Sequence, residues 1–326
     1  MIITRSPLRI SVGGGGTDLP SYYRRHGGFV LAMGISKHVY LSFQIKYDPG
    51  ILLKYSNIER VETIAEIRHP IIREALLIMG MHETNFEITS VADVPAGTGL
   101  GSSGSFTTAL LKALAIFNRR HLDPADLAKF ACEIEIDRLG EPIGKQDQYI
   151  AAFGGLTAFS FNEDDSVDVE SLPISDETFD DIQENVLMFY TGTTRSASEI
   201  LKEQNAKSLA DDLAVTENLD RIKELGKATR TAFLSGRLAD WGEMMLEHWE
   251  AKKKRSPLMS NARIDEFYEL GLKNGAVGGK LVGAGGGGFL LFYTCDPRSL
   301  RRAMAGAGLR ELRFQMDVEG SKVVSR

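Results

Sequence analysis

The chain has 326 residues, 43% of them hydrophobic and 25% charged, an ordinary globular composition whose length suggests about two domains. Disorder and fibrous repeats are excluded, since the 33 glycines follow no fixed period and are better spent in a few phosphate-type loops. A formal charge of −6 argues against nucleic acid as the main partner and leaves room for a small anionic ligand. Cys132 and Cys295 form no C-x-x-C pair, so buried free thiols are expected rather than a zinc site or a disulfide framework. Residues 1–11 hold no apolar signal core and no run of 18 apolar residues occurs, which predicts a soluble, cytoplasmic protein with no membrane partner.

In chain order, short apolar runs at 2–3, 8–12, 30–33, 39–45 and 51–55 predict strands. Apolar residues Ile71, Ile72, Ala75, Leu76 and Met79 recur at helical spacing, predicting a helix over 69–79, and 86–91 returns to strand. Helices are predicted over 106–117 and, with Asp123 as N-cap, over 124–138; a strand is predicted over 153–161. The acidic stretch 162–184, poor in periodicity, reads as the boundary between a domain over 1–175 and a second over 176–326. Beyond it follow a strand at 186–190 and helices near 195–205, 211–235, 237–253 and 261–273. A glycine-interrupted strand pair over 280–293, a helix over 297–305 and strands at 309–315 and 322–324 finish the chain. Strands and helices without strict alternation predict an α+β fold.

The strongest local signal is the Gly/Ser segment from Pro95 through Gly97, Gly99, Leu100, Gly101, Ser102, Ser103 and Gly104 to Ser105, between a strand and an apolar helix. A glycine-rich turn feeding a helix N-terminus offers unpaired N–H groups and the positive end of the helix dipole, which bind a di- or triphosphate. The serine hydroxyls either cap the helix or reach a metal, and the sequence leaves open which of Ser102 and Ser103 does so. The Gly99, Gly101, Gly104 spacing also matches the dinucleotide fingerprint, but helix leads here to helix rather than to a second strand with its acidic residue. No Lys follows the glycines, so the Walker form is absent. A second cluster, Gly283 to Gly288 with Gly285 and Gly286 at its centre, reads either as a close approach for a ligand or as a tight hairpin. A third, Gly13, Gly14, Gly15, Gly16 and Thr17, presents Asp18 at a loop end after the strand that carries Arg9.

Asp147, within Gly144-Lys145-Gln146-Asp147-Gln148, has amides beside it and a cation near it. It is either an acceptor for a hydroxyl proton in phosphoryl transfer or a turn Asp bonded to its own backbone. Glu133 and Glu135 are hard-oxygen candidates for magnesium.

These glycine-rich stretches and Asp147, in this order, resemble the GHMP small-molecule kinases over most of the chain, with Pro95 to Ser105 similar to the family's second motif and Lys280 to Gly288 to its third. The resemblance implies the GHMP kinase fold, a ribosomal-protein-like N-terminal domain followed by a ferredoxin-like C-terminal domain, with ATP and substrate in the cleft between them. It further implies Asp147 as catalytic base with Arg9 beside it, Ser103 and Glu135 as ligands of Mg2+, and Asp18 as a sugar-hydroxyl contact. Where galactokinases carry Gly-Glu-His-Thr-Asp, this chain has Gly14-Gly15-Gly16-Thr17-Asp18, a departure from galactose. The strings Pro-Leu-Arg-Ile-Ser at 7–11 and Gly-Lys-Gln-Asp-Gln-Tyr at 144–149 are similar to those of the kinases of D-glycero-D-manno-heptose 7-phosphate and, more distantly, of fucose. What this implies is ATP-dependent phosphorylation of an anomeric hydroxyl, on a phosphorylated sugar. An unphosphorylated sugar such as L-fucose and a non-catalytic ATP and sugar sensor are the alternatives, and a homodimer is left open.

A phosphorylated sugar needs a second anion site. Thr193, Thr194, Arg195 and Ser196, after a strand and at a predicted helix start, are either that site or an ordinary helix cap.

Overall fold

A computed structural model describes residues 1–193, 213–283 and 285–326. Its strands are β1 (Ile2–Gly13), β2 (Gly28–Ile45), β3 (Ile51–Lys54), β4 (Ile58–Val61), β5 (Phe86–Ala92), β6 (Leu156–Phe161), β7 (Val167–Ser171), β8 (Val186–Tyr190), β9 (Ala276–Leu281), β10 (Phe289–Thr294), β11 (Arg310–Glu311) and β12 (Lys322–Ser325). Its α-helices are α1 (Pro20–His26), α2 (Pro70–Ile78), α3 (Ser102–Phe117), α4 (Pro124–Cys132), α5 (Gln146–Phe153), α6 (Asp176–Asn185), α7 (Leu213–Leu234), α8 (Leu238–Arg255), α9 (Ala262–Lys273) and α10 (Pro297–Gly306).

The long β2 organises the first sheet. It pairs with β1 along most of its length, with β6 through Gly28 to Met33 and with β5 through Val39 to Ile45, so one strand serves two half-sheets. Alternation then sorts its side chains: Val30 and Ala32 enter a core with α2 to α5, while Phe29, Leu31 and Met33 enter a second core shared with β8, β10 and α8. On β1 the same alternation sends Leu8, Ile10 and Val12 into the second core and leaves Arg9 and Ser11 together on the opposite face. The second sheet is antiparallel in the order β11-β8-β10-β9, and its far side packs on α9 and α10 through Ile264, Tyr268, Leu300 and Met304. The α+β architecture agrees with the sequence reading.

Several expectations are corrected. The separate runs at 2–3 and 8–12 form one strand, and so do those at 30–33 and 39–45, because strand pairing continues through the polar residues between them. The stretch 162–184 is not devoid of structure: it contains β7, added to β6 of the first sheet, and α6, capped by the Ser175 side chain, which leads to β8 of the second sheet. The Asp147 segment, placed from the sequence between a helix and a strand, opens helix α5, whose Tyr149, Ile150 and Ala152 are buried in the first core, and the strand expected over 153–161 starts at Leu156. The predicted helix over 124–138 changes to a π-helical turn at Glu133–Arg138. Only Arg310–Glu311 of the strand expected over 309–315 pairs with β8. Cys295 is exposed, whereas Cys132 is buried; both are free thiols. The helix expected near 195–205 lies outside the described residues. Among the described residues, no helix is long and apolar enough to cross a membrane.

A cut at 175 would assign the whole C-terminal segment to the second half, yet β12 pairs antiparallel with β1 in the first sheet. Asp317 anchors this return: its Oδ2 lies 2.7 Å from His38 Nε2, and its Oδ1 accepts from the N–H groups of Glu319 and Gly320. Burial acts to raise the Asp317 carboxyl, but His38 and those two N–H groups outweigh it and hold it below the usual carboxylate value. Below pH 3.8 the unfolded chain therefore binds more protons here than the folded one, and stability falls as the pH drops. Asp317→Asn is expected to destabilise the protein at neutral pH and to narrow its difference from wild type below pH 3.8, as read by urea denaturation at stepped pH. A pH-independent difference would remove the carboxylate from this role.

Candidate active site

The glycine loops and the Asp147 segment meet in one cavity of about 330 Å³. Arg9 on β1 and Asp147 in the first turn of α5 form a forked pair, Nε to Oδ1 at 2.7 Å and Nη2 to Oδ2 at 2.9 Å. The third guanidinium nitrogen donates to the Gly99 carbonyl, and the Arg9 N–H donates to Leu100 O at 3.0 Å. One residue thus joins the acid to the second glycine loop. Gly101, the N-cap of α3 at φ +75°, leaves room for this pair: a Cβ there would come within 3.0 Å of Arg9 Cγ and 3.2 Å of Asp147 Cγ. Gly104 lets α3 lie against the backbone of Asp147 and Gln148.

Asp18 is almost wholly buried, and its carboxylate accepts from Gly16 N, Gln146 N and Gln146 Nε2 at 3.1 to 3.2 Å. Burial pushes its carboxyl up, against the pull of the Gln146 and Gly16 N–H groups. Glu135, on the π-helical turn, accepts from Gln148 Nε2 at 3.0 Å. Its carboxyl is pushed up to about 7, chiefly by burial and against hydrogen bonds from Gln148, Thr107 and Ser103. Glu133 instead faces outward and accepts from Arg138 at 2.8 Å.

Not every residue named from the sequence reaches the cavity. Arg9, Gly15, Gly16, Asp18, Gly97, Gly99, Gly101, Ser102, Ser103 and Asp147 line it. Leu100 belongs to the second core, and Ser105 is buried with its hydroxyl donating to Pro7 O at 2.6 Å, so both build the loop rather than face a ligand. Pro95 is exposed and Gly104 buried, and neither is in the lining. Thr17 is also internal, donating to the carbonyls of Gly14 and Phe29, and Gly14 packs so tightly on Phe29 that any side chain would overlap the Phe29 carbonyl. Gly285 and Gly286 pack on Met259, and the Thr193 carbonyl accepts from Gly288 N at 2.8 Å; these three lie away from the lining. Thr194, Arg195 and Ser196 lie outside the described residues.

Sequence reading singled out neither Gln146, His248 nor Lys252 for the lining, and named Lys280 only as the start of the third glycine motif. His248 and Lys252 are one turn apart on α8, and the Lys252 ammonium donates to the carbonyls of Leu281 and Gly283. Lys280 carries a signal that could have found it, a lone charge in a strand otherwise made of apolar residues and glycine. The glycine clusters also meet each other: a Cβ on Gly99 would lie 2.6 Å from Val282 O and 3.2 Å from Gly283 Cα, so the second and third loops close one side of the cavity together.

Comparison with known proteins bears on this site. The description "GHMP kinases N terminal domain" matches residues 66–155, and "GHMP kinases C terminal" matches 229–308. The chain is 30% identical over 307 residues to the D-glycero-alpha-D-manno-heptose 7-phosphate kinase of Campylobacter jejuni, spanning 91% of this chain and 90% of that protein. It is 27% identical to the bifunctional fucokinase/GDP-fucose pyrophosphorylase of Arabidopsis thaliana, spanning 89% of this chain and 29% of that one. Among solved structures, a D-glycero-D-manno-heptose 1-phosphate kinase from Bacteroides thetaiotaomicron shares the fold with a TM-score of 0.84 at 24% identity, covering 100% of this chain and 99% of that one. Lactococcus lactis galactokinase complexed with galactose shares it at 0.77 and 16%, covering 98% and 94%.

Proposed function

The chain belongs to the GHMP kinases, and from that premise we propose that it transfers the γ-phosphoryl group of ATP to the anomeric hydroxyl of D-glycero-D-manno-heptose 7-phosphate. The observation that carries the reading is the Arg9–Asp147 fork at the foot of a glycine-walled cavity. With both carboxylate oxygens held by Arg9, Asp147 is fixed in orientation and its remaining lone pairs are free to accept a sugar hydroxyl. The Asp147 carboxylate takes the proton of sugar O1 as that oxygen attacks the γ-phosphorus, and the electron pair of the broken P–O bond leaves on ADP. Gly97, Gly99, Gly101, Ser102 and Ser103 line the cavity and would offer backbone N–H groups and two hydroxyls to the phosphates. Positioning and fixed charge supply most of the rate.

The family's sugar kinases use ATP; the magnesium that accompanies it would find hard oxygen donors here. Ser103 and Asp147 line the cavity; Glu135 is not in the lining but lies buried against Gln148, near enough for Ser103 and the Asp147 charge to act on its carboxyl. That donor set suits an ion held by one or two carboxylates and substrate phosphates, whose role when bound is to neutralise phosphate charge. A polyhydroxylated ligand is supported by Ser11 Oγ and Gln146 Oε1, polar atoms buried in the wall without a hydrogen-bond partner among the described residues.

The relationship to the heptose 7-phosphate kinase supports the phosphorylated sugar, and the fucokinase relationship supports the second reading, a free sugar such as L-fucose. Coupled ADP release with ATP and magnesium across heptose 7-phosphate, free heptose, L-fucose, galactose and mannose separates them. Turnover confined to the 7-phosphate is expected. Turnover with a free sugar would leave a kinase without the second phosphate, and none with any sugar would favour a non-catalytic sensor.

A further inference from the structure

We infer that Lys280 is a direct ligand of the transferred phosphoryl group, acting from the second sheet across the cavity from the second glycine loop. The inference rests on the kinase reading above. Lys280 lines the same cavity as Asp147, Ser102 and Ser103 and is only 3% exposed. Its one hydrogen bond among the described residues goes from Nζ to Val12 O, at 2.8 Å. Among those residues no carboxylate pairs with it, since Asp18 is engaged by Gly16 and Gln146, and Asp147 by Arg9. A buried ammonium with two donors unspent and no counter-charge is costly unless an anion arrives.

Burial, aided by the neighbouring Arg9 charge, pushes the Lys280 ammonium down to about 7. An incoming triphosphate supplies the anion that this site lacks and restores the charged form. Lys252 does different work at the same place: its bonds to the Leu281 and Gly283 carbonyls fix the exit of β9, the strand from which Lys280 projects. The Lys280 side chain crosses from the second sheet to the Val12 carbonyl of β1 and lines the same cavity as Arg9 and Asp147. During transfer the γ-phosphorus bond to the bridging oxygen breaks with its electrons leaving on ADP. The bond to sugar O1 forms, and the O1 proton passes to Asp147. Lys280 donates hydrogen bonds to the phosphoryl oxygens throughout and moves no proton.

The experiment compares binding of ADP and of a non-hydrolysable ATP analogue, both with magnesium, to wild type, Lys280→Met and Lys280→Gln. The Gln variant keeps a donor for Val12 O and removes the charge, which controls for loss of the link between the sheets. Both variants are expected to weaken the triphosphate analogue by about tenfold or more, as for one hydrogen bond from a charged group, with ADP within about twofold. Turnover should fall by about 10²- to 10³-fold. Equal weakening of both nucleotides, or of neither, would overturn the inference and leave Lys280 as a link between sheets. The binding ratio is read without turnover, so failure of the kinase reading, seen as a wild type that phosphorylates no sugar, is distinguished from failure of this one.

Discussion

Asp147→Asn should lower turnover by about 10²- to 10⁴-fold, the range supplied by a positioned proton acceptor, while ATP affinity stays close to wild type. The asparagine oxygen still accepts one hydrogen bond from Arg9, and Arg9 keeps its bond to the Gly99 carbonyl, so the second glycine loop retains its anchor. What is lost is the second carboxylate oxygen, which accepts from Nη2 at 2.9 Å, and with it the capacity to take the sugar proton. The appropriate measurement is single-turnover phosphoryl transfer at saturating ATP and sugar, with ATP affinity determined separately by calorimetry. A variant with near-normal transfer would take Asp147 out of the acceptor role and leave it as an anchor for Arg9. A variant that loses ATP binding as well would mean that the fork holds the loop and not the reaction.

Gly144→Ala should be nearly as damaging, although the residue has no chemistry of its own. A Cβ at this position would overlap the Asp18 carboxylate and approach its backbone carbonyl to 2.9 Å. Asp18 would have to move, and its carboxylate is the acceptor for Gly16 N, Gln146 N and Gln146 Nε2. Gln146 opens α5, so the displacement reaches Asp147 through one peptide link. Overpacking of this kind costs about 1–3 kcal/mol of stability. A shift of about 1 Å at the reacting groups costs on the order of 10²-fold in turnover. Gly306→Ala is the control: a Cβ at the last residue of α10 meets nothing within 4 Å, so stability should hold or rise slightly. Full activity in Gly144→Ala with an unchanged melting temperature would show that Asp18 has slack that the packing denies it.

How much of this site the sequence discloses depends on whether a residue's role is local. Gly99 and Gly101, at φ +82° and +75°, turn a strand into a helix within a few residues, and that requirement is visible as a Gly/Ser run between two apolar segments. Arg9 and Ser11 share a face of β1 because strands alternate, which is legible once the strand is. Leu100, Gly104 and Ser105 belong to the same run yet support it from behind. Which members of a small-residue run face the ligand is set by the packing of α3 on β1 and α5, not by the run itself. Glu135 looks like any glutamate on a helix until its turn widens and buries it against Gln148.

The amino-acid order by itself determined the α+β class, most elements with strong periodicity, the glycine loops and, through family resemblance, the candidate pair Arg9 and Asp147. It did so because hydrophobic periodicity and turn chemistry act over a few residues. Tertiary structure alone decided that Asp147 and Arg9, 138 positions apart, form a fork, that the second and third loops touch, and that β12 returns to the first sheet. It also decided that Lys280, a charge inside an apolar strand, lines the cavity with Asp18 and Asp147 yet forms no ion pair with either among the described residues. Burial and the identity of the opposing group fix what an ionisable side chain can do, and both exist only once distant segments have packed.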